Sequence, residues 1–236
     1  MLGIFEADQD IDLVDEIGCE ISGPDQSSEL IWFLRESLWN AYDGTDQVHL
    51  AGRSMNDFVI LDMMGGIDAV TIRVRLDAGV GQRVFDKYRA LENDEECFFG
   101  GKYRLCVLAA LMMRVGANIN KNDIDHLREI VADIPSREGY HWPLCDDGFR
   151  GPGKRQFLAA LNNYKPGTPR DFKGPSCHAC GKTKDDVGKA LLKCSRCDIE
   201  KAAAWFCNKE CQKAYWSTHK KSCKSRSNGL FKSLNV

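Results

Sequence analysis

Seven cysteines and one histidine stand at metal-ligand spacing in the last quarter of the chain. They read Cys177-x2-Cys180, Cys194-x2-Cys197, Cys207-x3-Cys211 and His219-x3-Cys223. A C-x2-C pair holds two thiolates at the neck of one tight turn. A C-x3-C or H-x3-C pair lies one helical turn apart, with both side chains on one face. Four such pairs supply the eight ligands of two closed tetrahedral zinc sites. A closed site keeps no coordination position for water, so this pattern predicts structural zinc rather than zinc catalysis. A disulfide framework would need an oxidising compartment. The start, MLGIFEADQDIDLVDEIG, is acidic and has neither the basic n-region nor the continuous apolar core of a secretory leader. No run approaches the ~18 apolar residues of a membrane span. The expectation is an intracellular protein of the nucleus or cytoplasm, with two Zn2+ as its cofactors.

The residues around the last four ligands extend the pattern. The string WFCNKECQKAYWSTHKKSC, from Trp205 to Cys223, resembles a MYND-type zinc finger. It carries the aromatic-Cys-x3-Cys-Gln run, a Trp five residues after the second Cys, and the closing His-Lys-x2-Cys. The resemblance covers residues 177–223. It implies an interleaved pairing: Cys177, Cys180, Cys207 and Cys211 on one zinc, and Cys194, Cys197, His219 and Cys223 on the other. Spacing alone gives two sites without their pairing. Thirteen residues separate Cys180 from Cys194, and nine separate Cys197 from Cys207. These loops are longer than usual for the family. Closure entropy grows slowly with loop length, so the fold tolerates them.

The helix that carries Cys211 and His219 can also carry a binding face. Asn208 can cap it. Gln212 and Trp216 are four apart and share one side. An indole offers a flat apolar surface for a proline, and a carboxamide can bond an extended backbone; both suit recognition of proline-rich peptides. The resemblance implies the same, since the Gln and Trp at these positions contact short PxLxP-type peptides in that family. The reading is therefore a protein-interaction module or scaffold whose partners bear proline-containing linear motifs. Two bland readings stand beside it. Trp216 can instead cover the zinc core, with Trp205 and Phe206 below, and the finger can serve only to stabilise the C-terminus. A further alternative is nucleic-acid contact through Lys213, Lys220, Lys221, Lys224 and Arg226, which would weaken steeply with salt. The chain is not expected to be an enzyme, with activity in the helical body as the remaining alternative; no small-molecule substrate or membrane contact is expected. Some MYND proteins are lysine methyltransferases with the finger inserted in a SET domain, but SET signatures are missing here. No Ser-His-Asp or Cys-His constellation with supporting context appears in the rest of the chain.

These elements must be held by the other three quarters of the 236 residues. Hydrophobic residues make up 43% of the chain, enough for a real core. Charge is uneven. Residues 1–170 carry 18 Lys and Arg against 28 Asp and Glu, a net −10, whereas residues 171–236 carry 14 against 6, a net +8. An acidic body with a basic finger fits an interaction role.

The fold expected is mainly α: a helical N-terminal domain followed by a small zinc-stabilised MYND-type finger. Residues 1–26 read as an irregular acidic lead-in and 27–164 as the helical domain. Residues 165–176 read as a linker rich in Pro and Gly, 177–223 as the finger, and 224–236 as a basic tail. Within the body, Ile31, Leu34 and Leu38 recur at helical spacing, and Ser54 can cap the run MNDFVILDMM. Residues 67–78 alternate like a strand yet stop at Gly79 like a helix; helix is preferred. Arg83–Leu91 and Tyr103–Val115 read as helices, the latter stopped by Gly116. Asn122 or Asp123 should cap a helix faced by Ile124, Leu127, Val131 and Ile134. Lys154–Tyr164 closes the body. The order of helical body and C-terminal finger resembles fungal proteins that carry a MYND finger.

Three near-motifs compete with this reading. Gly148-x4-Gly153-Lys154 matches the start of a P-loop, but Arg155 replaces the magnesium-binding Ser or Thr. AVTIRVRLDAGV and LAALMMRVGANIN resemble ankyrin second helices, but lack the T-P-L-H signature. His141-x3-Cys145 suggests a third metal site with Cys97 or His126, but Pro143 disfavours the helical turn it needs. Cys106 sits in an apolar run and reads as a buried small hydrophobe.

Overall fold

The most apolar stretch of the chain becomes the axis of the body. Helix α3 spans Gly101–Val115, and twelve of its residues are buried. A helix apolar on all sides must be surrounded, and four others pack against it. They are α1 (Ala69–Arg75), α2 (Gly81–Ala90), α4 (Lys121–Asp133) and α5 (Gly153–Asn163). The structure, a computed structural model, describes residues 13, 16–21, 69–94, 100–137, 148–150, 152–172, 174–197 and 203–225. The helices expected after Ser27 and Ser54 lie outside the described residues, as do His141, Cys145 and Cys97.

Two expectations about helix ends change. Gly79 does not stop a helix. Residues Leu76–Val80 form a π-type turn that joins α1 to α2, and Gly79 sits inside it at φ 104°. Glycine takes this left-handed backbone without a Cβ penalty, so it kinks the helix instead of ending it. Helix α4 is capped by Asn120, not by Asn122 or Asp123. The Asn120 Oδ1 accepts from the Asp123 N–H at 2.8 Å. Asp123 stands three residues into the turn, buried, where its carboxylate meets Arg89 at 3.0 Å. Negative charge is favourable at a helix N-terminus, and here it has a cation as well.

The acidic lead-in also departs from expectation. Residues 16–21 are helical, and Leu13, Ile17 and Ile21 are completely buried in the body core. Their spacing of four places three apolar side chains on one stripe, which outweighs the acidic composition between them.

The P-loop-like segment folds as packing. Strand β2 (Phe149–Arg150) pairs in parallel with β1 (Ser136–Arg137). Lys154 donates to the carbonyls of Ala132 and Ile134, at 3.1 and 2.9 Å. It thus satisfies carbonyls at the C-terminal end of α4 that the helix leaves unpaired, and its ammonium is committed.

The proline- and glycine-rich segment runs along the body. Gly167 N donates to Gly116 O and Arg170 N to Met113 O, both at 2.9 Å. Phe172 is buried in the body core, and its carbonyl accepts from Gln156 at 3.1 Å. The last elements are short: α6 (Lys184–Val187), β3 (Leu192–Lys193), β4 (Trp205–Phe206) and the long α7 (Lys209–Ser225). Strands β3 and β4 form an antiparallel pair.

Candidate functional site

The C-x2-C turns form as their spacing requires. Gly181 N closes on Cys177 O at 2.7 Å, and Cys197 N on Cys194 O at 3.2 Å. The first turn is tied to β4 by a bridge between Cys177 and Trp205, the second by Cys194 N donating to Ala204 O at 2.8 Å. Asn208 caps α7 through the Cys211 N–H at 2.8 Å. The helix then continues past His219 to Ser225, so Cys211, His219 and Cys223 all project from it.

Two four-residue clusters result: Cys177, Cys180, Cys207 and Cys211, and Cys194, Cys197, His219 and Cys223. Within each, all ligand atoms lie within 4.8 Å of one another. This is the interleaved pairing that the family resemblance implies. A zinc–sulfur bond of about 2.3 Å sets tetrahedral S···S edges near 3.8 Å, and an S···N edge near 3.6 Å. The Sγ atoms of Cys180 and Cys207 stand 3.5 Å apart, and those of Cys197 and Cys223 4.0 Å apart. The Cys197 Sγ is 3.5 Å from His219 Nε2. These separations fit zinc and are far from a disulfide bond of about 2.05 Å. The nine described cysteines are all free thiols.

Electrostatics points the same way. Burial and the nearby Cys177 and Cys180 push the Cys211 thiol up to about 11. Burial and the nearby Cys197 and Cys194 push Cys223 to about 11 as well. Cys207 is raised further, by burial first and then by Cys180 and Cys177. At Cys177 burial opposes ionisation, but the N–H groups of Cys180, Cys207 and Ala179 outweigh it and lower the pKa. Crowded thiols that resist sharing negative charge are those a divalent cation deprotonates.

Phe206 is fully buried beneath the clusters, with Leu191 and Ala204 beside it. His219 stands edge-on to both Phe206 and Trp216, at 6.0 and 5.9 Å. His178 lies inside a ligand turn but acts as packing. Its Nδ1 accepts from the Trp205 N–H at 3.2 Å, and burial lowers its pKa to about 4. It therefore remains neutral at physiological pH. Gln212 and Trp216 are half-buried on α7, and Arg196 lies over the Trp216 ring at 5.7 Å. His126 pairs with Glu92 at 2.6 Å.

Sequence reasoning missed the contacts that join finger to body. Arg155 stacks over the Tyr215 ring at 4.9 Å and donates to its hydroxyl at 3.1 Å. Arg170 makes two bonds to the Asp186 carboxylate, at 2.9 and 2.6 Å. Asp186 also closes a capping box with Thr183. Gly181, at φ 75°, lies against α5 so closely that a Cβ there would stand 1.9 Å from the Arg155 carbonyl oxygen. The glycine that follows the first C-x2-C is a local hint of a tight site, but nothing in the spacing links it to Arg155.

No helix among the described residues is long and apolar enough to cross a membrane. No curated protein and no solved structure matches the chain. Residues 177–223 match the family model of the MYND finger. With the two clusters in place to hold two zinc ions, this segment is a MYND finger, a type of domain that in general binds zinc and mediates protein–protein interaction.

Proposed function

We propose that the finger captures short proline-containing peptides in extended form, and that the protein acts by binding rather than by catalysis. The observation that carries this reading is the split between neighbours on α7. Tyr215 turns to the body, where Arg155 holds it, whereas Trp216 is half-buried and keeps part of its indole accessible. Gln212 lies one turn before Trp216 on the same side. An indole that takes a proline ring and a carboxamide that bonds the peptide backbone make a minimal extended-peptide reader.

Zinc would be held by the eight ligands and would supply folding free energy to a finger too small for a large core. With four protein ligands at each ion, coordination is filled and no position is left for substrate. Zinc-ligating thiolates suit a reducing compartment, which fits an intracellular protein of the nucleus or cytoplasm.

The test is fluorescence anisotropy of a labelled PxLxP peptide titrated with the zinc-loaded full chain, wild type beside Trp216→Ala. Saturable binding should weaken at least tenfold in the variant while both zincs are retained. A folded, zinc-loaded wild type that binds no such peptide would refute the reading.

A further inference from the structure

We infer that the Trp216 surface selects peptides whose proline core is flanked by acidic residues, with Arg196 as the specificity-determining cation. This rests on the peptide-capture reading. The argument starts from α7. Lys209, Lys213 and Lys220 stand at i−7, i−3 and i+4 from Trp216, so they share its face, and all three are exposed. Glu210 is six positions before Trp216 and so lies about 120° round the helix from the indole, at the edge of this face beside Lys213. From outside the helix, Arg196 in the Cys194–Cys197 turn is exposed and reaches over the Trp216 ring.

The half-buried indole is thus collared by cations. Asp186 of the finger is committed to Arg170 on the side that meets the body. Tyr215 faces the body too, so the basic face is turned away from it. A guanidinium held against an aromatic ring is already oriented. Its planar fork can then donate two parallel bonds to a carboxylate, which a lysine cannot do. A proline on the indole would bring the next peptide side chain beside this fork, and an acidic residue there would gain Arg196 and the lysines together. A single-stranded nucleic acid would also find positive charge, but such binders stack successive bases on several rings. This face offers one.

The experiment uses three labelled PxLxP peptides that differ only in their flanks: Glu, Gln or Lys. Each is titrated into the zinc-loaded full chain at low and at raised salt. The Glu peptide should bind about three- to tenfold more tightly than the Gln peptide at low salt, as exposed charge pairs of modest strength allow. The ratio should shrink with salt. It should fall towards one in Arg196→Ala and favour the Lys peptide in Arg196→Glu, with zinc content unchanged. Because Arg196 adjoins Cys197, the double variant Lys213→Gln, Lys220→Gln is measured beside it; it should halve the preference or more while leaving the ligand turn intact. Equal affinity of the wild type for all three peptides overturns acid selection and leaves peptide capture standing. Failure of all three to bind refutes capture itself. A random single-stranded oligonucleotide that displaces the Glu peptide at equal or lower concentration overturns the proposal in favour of nucleic acid.

Discussion

Replacing Asp186 by Ala should uncouple the finger from the body at a cost that the structure lets one work out. The Asp186 side chain is 4% exposed and that of Arg170 is 9% exposed. Two charge-assisted bonds join them. Removing the carboxylate leaves a guanidinium with almost no water to replace them. Breaking one partner of a buried pair costs about 3–5 kcal/mol, because the remaining charge is desolvated and unpaired. The same substitution opens the capping box, since Asp186 also accepts from the Thr183 N–H at 2.9 Å, and a lost cap costs about 1 kcal/mol. The assay is urea unfolding of the full chain at neutral pH with zinc in excess. With a slope of about 2 kcal/mol per molar, the midpoint should fall by roughly 2–3 M. A double-mutant cycle with Arg170→Ala isolates the pair. The double variant should be less destabilised than the sum of the singles by more than about 1 kcal/mol. A coupling below about 0.5 kcal/mol would show that the bidentate contact does not hold the two parts together, and the reasoning would fail. The burial of Asp186 would raise its pKa, but Arg170 and the Thr183 N–H together hold it below the usual carboxylate range. Its contribution is therefore fully present above about pH 4, the unfolded value, and is lost as pH falls through the lower folded value. Neutral pH is thus where the cycle reads the whole effect.

Gly181→Ala should destabilise the chain by at least about 2 kcal/mol in the same assay, since its Cβ would strike the Arg155 carbonyl and its φ is 75°. His219→Ala should reduce bound zinc from two ions to one by metal analysis, because it leaves the Cys177 cluster complete. Zinc binding should release protons, seen with a pH indicator, and affinity should fall as pH falls: Cys211 and Cys223, held near 11 without metal, must each give up a proton to become ligands. Lys154→Met should cost about 1–2 kcal/mol in thermal unfolding through the lost bonds to Ala132 and Ile134. ATP should bind neither form, and ATP binding abolished by the substitution would contradict the packing role.

What was legible in the chain followed local spacing. His219 and Cys223 lie one turn apart on α7, as their spacing implies, and Cys211 shares that helix, whereas Cys207 stands before the Asn208 cap and reaches its site from outside the helix. The apolar run of α3 and its stop at Gly116 were readable for the same reason, and Gly116 does take the left-handed cap. Gly79 was not, because a glycine with φ 104° serves a kink as well as an end, and only the packing of α2 on α3 selects between them. Asn122 and Asp123 stood in for Asn120 as the expected cap because Asn and Asp both cap well. The choice is made by the buried pairing of Asp123 with Arg89, contributed by another helix. Leu13, Ile17 and Ile21 carried a helical period that acidic composition hid. The contacts between body and finger had no local signal. Arg155 and Tyr215 are 60 positions apart, and neither position has a spacing rule to connect it to the other.

These contacts change what the proline- and glycine-rich segment does. Its composition suits a free tether, yet its backbone is bonded to Gly116 and Met113 and its Phe172 enters the body core. A tether would let the finger sample orientations and would charge that entropy to every binding event. A seated finger has paid this ordering cost in folding. Helix α7 then works as a plate with two sides. Tyr215 bolts one side to Arg155, and Gln212, Trp216 and the lysines stand on the side proposed to meet a partner. The arrangement also sets how binding must be studied. A fragment that begins near residue 171 would lose Arg155 and Arg170, leave Tyr215 without its cation, and strand the buried carboxylate of Asp186. Weak binding by such a fragment would report a damaged finger, and only the full chain tests the face that the fold presents.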